Sequence, residues 1–215
     1  MGPRLARLRL CGDRAAHHTE ERSRFRDAIR GTEHEALWLV LMLTGLSPSE
    51  ALALGWEHLD LDAGTLRVAR TVDAKARHLV EGTKRPCRRR VVPLVPELRA
   101  TLREHWLAAG RPPDGLVFAA WHGGPLDLDN LRTRHFKTAL KRAEIKRLVR
   151  LYNLRHEFAT AALEAGVDVR TVADLMGHPG TRTVLDVYQH ASDARKREAA
   201  DRIAAALAPR TGVTA

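Results

Sequence analysis

Cysteine is scarce. Cys11 and Cys87 are the only two in 215 residues, too few and too far apart for a metal knuckle or a disulfide framework. Long apolar runs are missing too: the longest, Ala36 to Leu43, falls far short of the roughly 18 residues a membrane-spanning helix needs. The N-terminus alternates Arg with Leu and has no apolar segment of the kind a secretory signal carries. These absences argue against a secreted disulfide scaffold and a helical membrane protein, and predict a cytoplasmic chain. Aromatic residues are only 5%, which leaves little for stacking on unpaired bases. Acidic residues are the minority partner, 26 Asp+Glu against 36 Lys+Arg, for a net charge of +10.

What is present suits a folded domain. Hydrophobic residues at 44% and charged residues at 29% exclude bulk disorder, and the length fits one domain with a small extension. The positive charge is concentrated rather than spread. Lys84, Arg85, Arg88, Arg89 and Arg90 form one short cluster, and Arg132, Arg134, Lys137, Lys141, Arg142, Lys146, Arg147 and Arg150 form a second. A solvated surface of an arginine-rich chain is the bland reading. Clustering favours a footprint for a polyanion, and the low aromatic content favours a grip on a duplex backbone. The expected partner is double-stranded DNA, which implies nucleoid association.

Hydrophobic periodicity predicts a mainly α fold with a small three-stranded antiparallel sheet. Residues 1–21 read as a basic arm, 22–208 as the folded domain and 209–215 as a tail. Glu33 to Leu43 reads as a core helix stopped by Gly45. Ser47-Pro48-Ser49-Glu50 has the form of a capping box, starting a helix that carries Ala51, Leu52, Leu54 and Trp56 and ends near His58. Strands are expected at Thr65 to Val72, Arg77 to Val80 and Arg90 to Leu94. Helices are then expected at Pro96 to Ala109, Asp129 to Ala143, Leu154 to Ala165, Val169 to Met176, Thr183 to His190 and Asp193 to Leu207.

Taken singly, Arg155, His178 and Tyr188 have ordinary structural readings: a surface cation, a helix stop and a packed aromatic. Their order is more telling. Thr44-Gly45-Leu46…Glu50-Ala51-Leu52, Gly82-Thr83-Lys84…Arg90-Val91-Val92-Pro93-Leu94, Leu154-Arg155-His156-Glu157-Phe158, Leu175-Met176-Gly177-His178 and Tyr188-Gln189-His190 follow one another. Together they resemble the catalytic domain of the tyrosine site-specific recombinases, the phage integrase family, from about Arg22 to Leu207. The resemblance implies an integrase-type DNA breaking and rejoining fold. It implies strand cleavage through a 3′-phosphotyrosyl intermediate without cofactor or metal. Tyr188 would be the nucleophile, Arg155 the bidentate clamp on the phosphate, His178 a phosphate hydrogen-bonding partner, and Lys84 the acid for the leaving 5′ oxygen. Arg85, Arg88, Arg89, Arg90, Arg132, Arg134, Lys137 and Lys141 would contact DNA. Four protomers would form the synapse, with Asp193 to Leu207 packing either on a neighbour or on its own core.

Two positions depart from the family pattern. Ser47 stands where the family has its first catalytic Arg, and Tyr152 stands where it has a His. Loss of a cationic clamp on a transferring phosphoryl group costs on the order of 10³–10⁵ in rate, or roughly 4–7 kcal/mol. The expectation is weakened cleavage, unless Arg85 or Arg88 supplies the charge. The family's usual N-terminal DNA-clamping domain has no counterpart before Arg22, which adds to the expectation of weak binding. The alternative is a non-cleaving DNA-binding remnant or accessory protein that occupies recombination sites. A helix-turn-helix regulator built on Val169 to Met176 and Thr183 to His190 would leave Lys84 and its sheet unexplained. Metal is not expected, because His17-His18 has no companion ligands at zinc-finger spacing.

Overall fold

The computed structural model describes residues 19–73, 78–81, 89–147, 149–187 and 201. Helix α1 (19–29) places Phe25 and Ile29 in the core. It starts inside the segment expected to be an arm. Helix α2 (Glu35–Thr44) is buried along nearly its whole length, with Leu37, Trp38, Leu39, Val40 and Leu41 all enclosed. A helix apolar on every side must sit inside the molecule, and α2 packs against the later helices Pro96–Ala108 and Asn153–Glu164. It ends at Gly45, whose φ of +66° is the left-handed conformation that stops a helix.

The capping box at Ser47 forms as the sequence predicts, but α3 (Pro48–Ala51) lasts only one turn. The expected continuation through Trp56 does not occur. Tertiary hydrogen bonds take the backbone instead: Val117 N donates to Leu54 O and Trp56 N donates to Gly115 O, both at 2.9 Å. Trp56–His58 then makes a short 3-10 turn.

The sheet is also rearranged. β1 (Leu59–Asp60), β2 (Thr65–Val68) and β5 (Arg90–Pro93) form a three-stranded antiparallel sheet in the order β1-β2-β5. β3 (Arg70–Val72) and β4 (Leu79–Glu81) form a separate two-stranded ribbon. The single strand expected over Thr65 to Val72 is thus broken at Ala69, and its halves pair with different partners. In β2–β5 the register sets Leu66 opposite Val92 and Val68 opposite Arg90. Leu66, Val68 and Val92 face the core.

Helix α4 (Pro96–Ala108) follows, then α5 (Leu128–Asn130), which runs through a π-helical stretch at Leu131–Phe136 into α6 (Lys137–Arg142). The last described elements are α7 (Asn153–Glu164), α8 (Val169–Met176) and α9 (Arg182–Val187). They share a smaller core of Ala159, Leu163, Val172, Ala173, Met176 and Val184. The helix expected over Asp193 to Leu207 falls outside the described residues except for Asp201. The mainly α architecture with a small antiparallel sheet stands. Among the described residues no helix is long and apolar enough to cross a membrane.

Candidate active site

The site is organised around one buried carboxylate. Glu50 is 4% exposed. It closes the capping box by accepting from Ser47 N at 2.8 Å, and it also accepts from the Ser47 hydroxyl at 2.9 Å. Two guanidinium groups reach it from elsewhere in the chain. Arg90 of β5 donates Nη1 to Glu50 Oε1 at 3.0 Å and Nε to the carbonyl of Leu175, near the end of α8, at 2.6 Å. Arg155, near the start of α7, approaches Glu50 Oε2 at 3.3 Å. Burial by itself raises the Glu50 carboxyl. The hydrogen bond and charge of Arg90, the Ser47 backbone and the charge of Arg155 outweigh that and hold it below the ordinary glutamate value.

Arg155 is itself enclosed. It donates Nη1 to Gly45 O at 2.7 Å and Nη2 to Met176 O. Its position depends on Gly45 for two reasons. The left-handed turn turns that carbonyl toward it, and a Cβ there would stand 2.5 Å from Phe158 Cδ1. Arg155 Nη2 lies 3.1 Å from His178 Nε2. His178 follows the left-handed Gly177 that caps α8, and its backbone N–H donates to Ala173 O at 2.9 Å. Two groups read separately from the sequence are therefore side by side, each fixed by a helix end. A planar cation and an imidazole are the kinds of group that can hold an oxyanion such as a phosphate, and here the guanidinium is 5% exposed and anchored by the Gly45 and Met176 carbonyls. Burial and then the Arg155 charge lower the pKa of neighbouring His156, with Glu157 partly offsetting them.

Tyr188 lies one residue beyond the described end of α9 and, with Lys84, Arg85 and Arg88, outside the described residues. Ser47 and Tyr152, the two positions that depart from the family pattern, line the same cleft of about 510 Å³. Arg132, Lys137 and Arg150 line it as well. Tyr152 is half exposed and its ring meets that of His156 edge-on at 5.2 Å.

The expected DNA contacts divide into two groups. Arg89, Arg132, Arg134, Lys137 and Lys141 are exposed, and Arg132 pairs with Asp129 at 2.9 Å. Arg90 is a correction: its side chain is 7% exposed and spent on Glu50 and Leu175, so it builds the site's frame and does not present a surface cation. Strand alternation held the signal, since Arg90 shares a face with the core residue Val92. The sequence presents Glu50 as the end of a capping box and as part of the family-like segment around Thr44 to Leu52. Its role as common acceptor arises from residues brought together by folding.

The phage integrase family model matches residues 18–195. The chain belongs to the phage integrase family. A XerC-like tyrosine recombinase of Caldanaerobacter subterraneus subsp. tengcongensis is 28% identical over 204 residues, covering 85% of this chain and 52% of that protein. Among solved structures, XerA recombinase superposes with a TM-score of 0.68 at 24% identity, covering 86% of this chain and 61% of that one. The Tn1549 transposon integrase in complex with transposon right end DNA gives a TM-score of 0.70 at 21% identity, covering 84% of this chain and 63% of that one. These structural likenesses establish the integrase fold. The chain spans about half the length of the curated relative it matches.

Proposed function

We propose that this integrase-family chain is a tyrosine recombinase catalytic domain that cleaves and rejoins duplex DNA through Tyr188, with the catalytic unit over residues 22–208. The observation that carries the reading is the convergence of Arg155 and His178 at 3.1 Å. In this mechanism the Tyr188 phenol gives up its proton to solvent as its oxygen attacks the phosphorus, and a 3′-phosphotyrosyl bond forms as the bond to the 5′ oxygen breaks. Arg155 and His178 neutralise the charge that grows on the nonbridging oxygens, while Lys84 gives a proton to the departing oxygen. The ester conserves the energy of the broken bond, and a second 5′-hydroxyl reverses the step at a new junction. Assembly of several protomers on DNA belongs to the same proposal, as does nucleoid association.

Cleavage is weakened in this reading, because the Ser47 hydroxyl is engaged with Glu50 and brings no charge. Arg132 and Arg150, in the same cleft as Ser47, join Arg85 and Arg88 as candidates for a substitute cation. The same observation favours the second reading, a domain that binds DNA without cutting it.

Nicked duplexes from a random-sequence library, which trap the covalent intermediate, separate the two. The expected result is a low yield of protein–DNA adduct from the native chain and none from Tyr188→Phe. Ser47→Arg should raise the yield by about tenfold or more, as restoring a missing clamp should. Duplex binding without adduct in all three proteins would establish the non-cleaving reading.

A further inference from the structure

A second cluster of chemistry-bearing side chains lies away from Glu50 and Arg155. Glu33 and His34 immediately precede α2, with His34 at its N-cap. His135 comes from the π-helical stretch Leu131–Phe136. One carboxylate oxygen and one ring nitrogen from each imidazole all lie within 4.8 Å of one another. The two rings stand 4.3 Å apart between centroids, inclined at 76°. The trio borders a cavity of about 710 Å³ whose wall also holds Asp73, Asp127 and Asp129.

Edge-to-face packing of two imidazoles needs no metal, and His34 also meets Trp38 at 90°. Packing of the rings does not involve the third member, the exposed Glu33, whose carboxylate has an oxygen within 4.8 Å of a nitrogen of each imidazole. Nor does it account for the π-helical distortion centred beside His135. Such stretches are uncommon and offset the side chains that follow them, often at functional positions.

We infer that Glu33, His34 and His135 form a binding site for a divalent transition metal of the zinc class. Two imidazoles and one carboxylate are a recurrent donor set for such ions, and water would complete the coordination on the open side. Donors around a tetrahedral ion stand roughly 3.3 Å apart for bonds of about 2.0–2.1 Å. The donor atoms, within 4.8 Å of one another, would close toward that spacing on binding. The bound ion ties the start of α2 to the helical run that presents Arg132 and Arg134, which makes the site a structural clamp outside the strand-transfer chemistry.

The test uses the full chain stripped of metal with a chelator and titrated with Zn²⁺ by calorimetry, and with Co²⁺ by visible absorption. One ion per chain is expected, with a rise in Tm. His135→Ala and His34→Ala should each weaken affinity at least tenfold, and Glu33→Gln, at an exposed position, should weaken it less. His17→Ala with His18→Ala should leave it unchanged. Titrations unaltered by Glu33→Gln and His135→Ala together, or abolished by the His17/His18 change, overturn the inference. Anomalous scattering from Co²⁺ in crystals of the native chain decides it independently of how the variants fold: density between His34 and His135 supports the site, and density only elsewhere overturns it.

Discussion

At Glu50, two guanidiniums meet one carboxylate in a nearly closed space. Removing one partner of a buried ion pair typically costs about 3–5 kcal/mol, because the remaining charge loses its counter-ion. Glu50→Gln keeps the shape and removes the charge, so a loss of unfolding free energy of that size is expected in urea titrations. The pH dependence follows from the depressed carboxyl. Between the folded value and the ordinary one of about 4.5, the unfolded chain binds the extra proton, so stability rises with pH there. The Glu50 contribution is therefore complete above the ordinary range and disappears as pH falls through the folded value. The gap between native chain and Glu50→Gln should be constant at neutral pH and shrink on acidification below about pH 4.5. A gap that persists unchanged at low pH would remove the carboxylate from this role.

At the level of elements, the turn between α2 and α3 sets the site. Gly45→Ala places a Cβ 2.5 Å from Phe158 Cδ1 at a φ of +66°, so strain of about 1–3 kcal/mol is expected. For a chain of this size, thermal unfolding should fall by roughly 2–4 °C for each kcal/mol, and displacement of the Gly45 carbonyl should loosen Arg155. Much of this geometry was legible beforehand. Ser47-Pro48-Ser49-Glu50 announced a capping box because its chemistry is local, and α8 has the expected bounds because Asp168 and Gly177 bracket it. Other features were settled at a distance. Ala51 to Leu54 keeps a helical composition, yet Val117 captures the Leu54 carbonyl and ends the helix. The break at Ala69 has no Gly or Pro to mark it. Glu33 and His34 are neighbours, but His135 lies too far along the sequence for their grouping to show as a ligand spacing. Arg89 and Arg90 look alike in a run of arginines, and only the direction of strand β5 separates a surface cation from a buried one.

For the whole molecule, the +10 charge bears on how a duplex would be held. If each of Lys137 and Lys141, both exposed on α6, neutralises one phosphate, each contributes about 0.9 to the slope of log affinity against log salt. The double change Lys137→Ala, Lys141→Ala should flatten that slope by about 1.8 in anisotropy titrations while leaving Tm unaffected. An unaltered slope would move the duplex to another face.

Three stretches of polypeptide, the α2–α3 turn, β5 and α7, hydrogen-bond to the single side chain of Glu50, and the same two arginines, Arg90 and Arg155, tie in the end of α8 through the Leu175 and Met176 carbonyls. The arrangement of Glu50, Arg90 and Arg155 needs all of those stretches at once, so its assembly is expected to be cooperative with the global transition rather than a preliminary to it. A probe at Glu50, such as the difference between the native chain and Glu50→Gln, and far-ultraviolet ellipticity should consequently decay along one coincident denaturation curve, which makes this junction a reporter of folding.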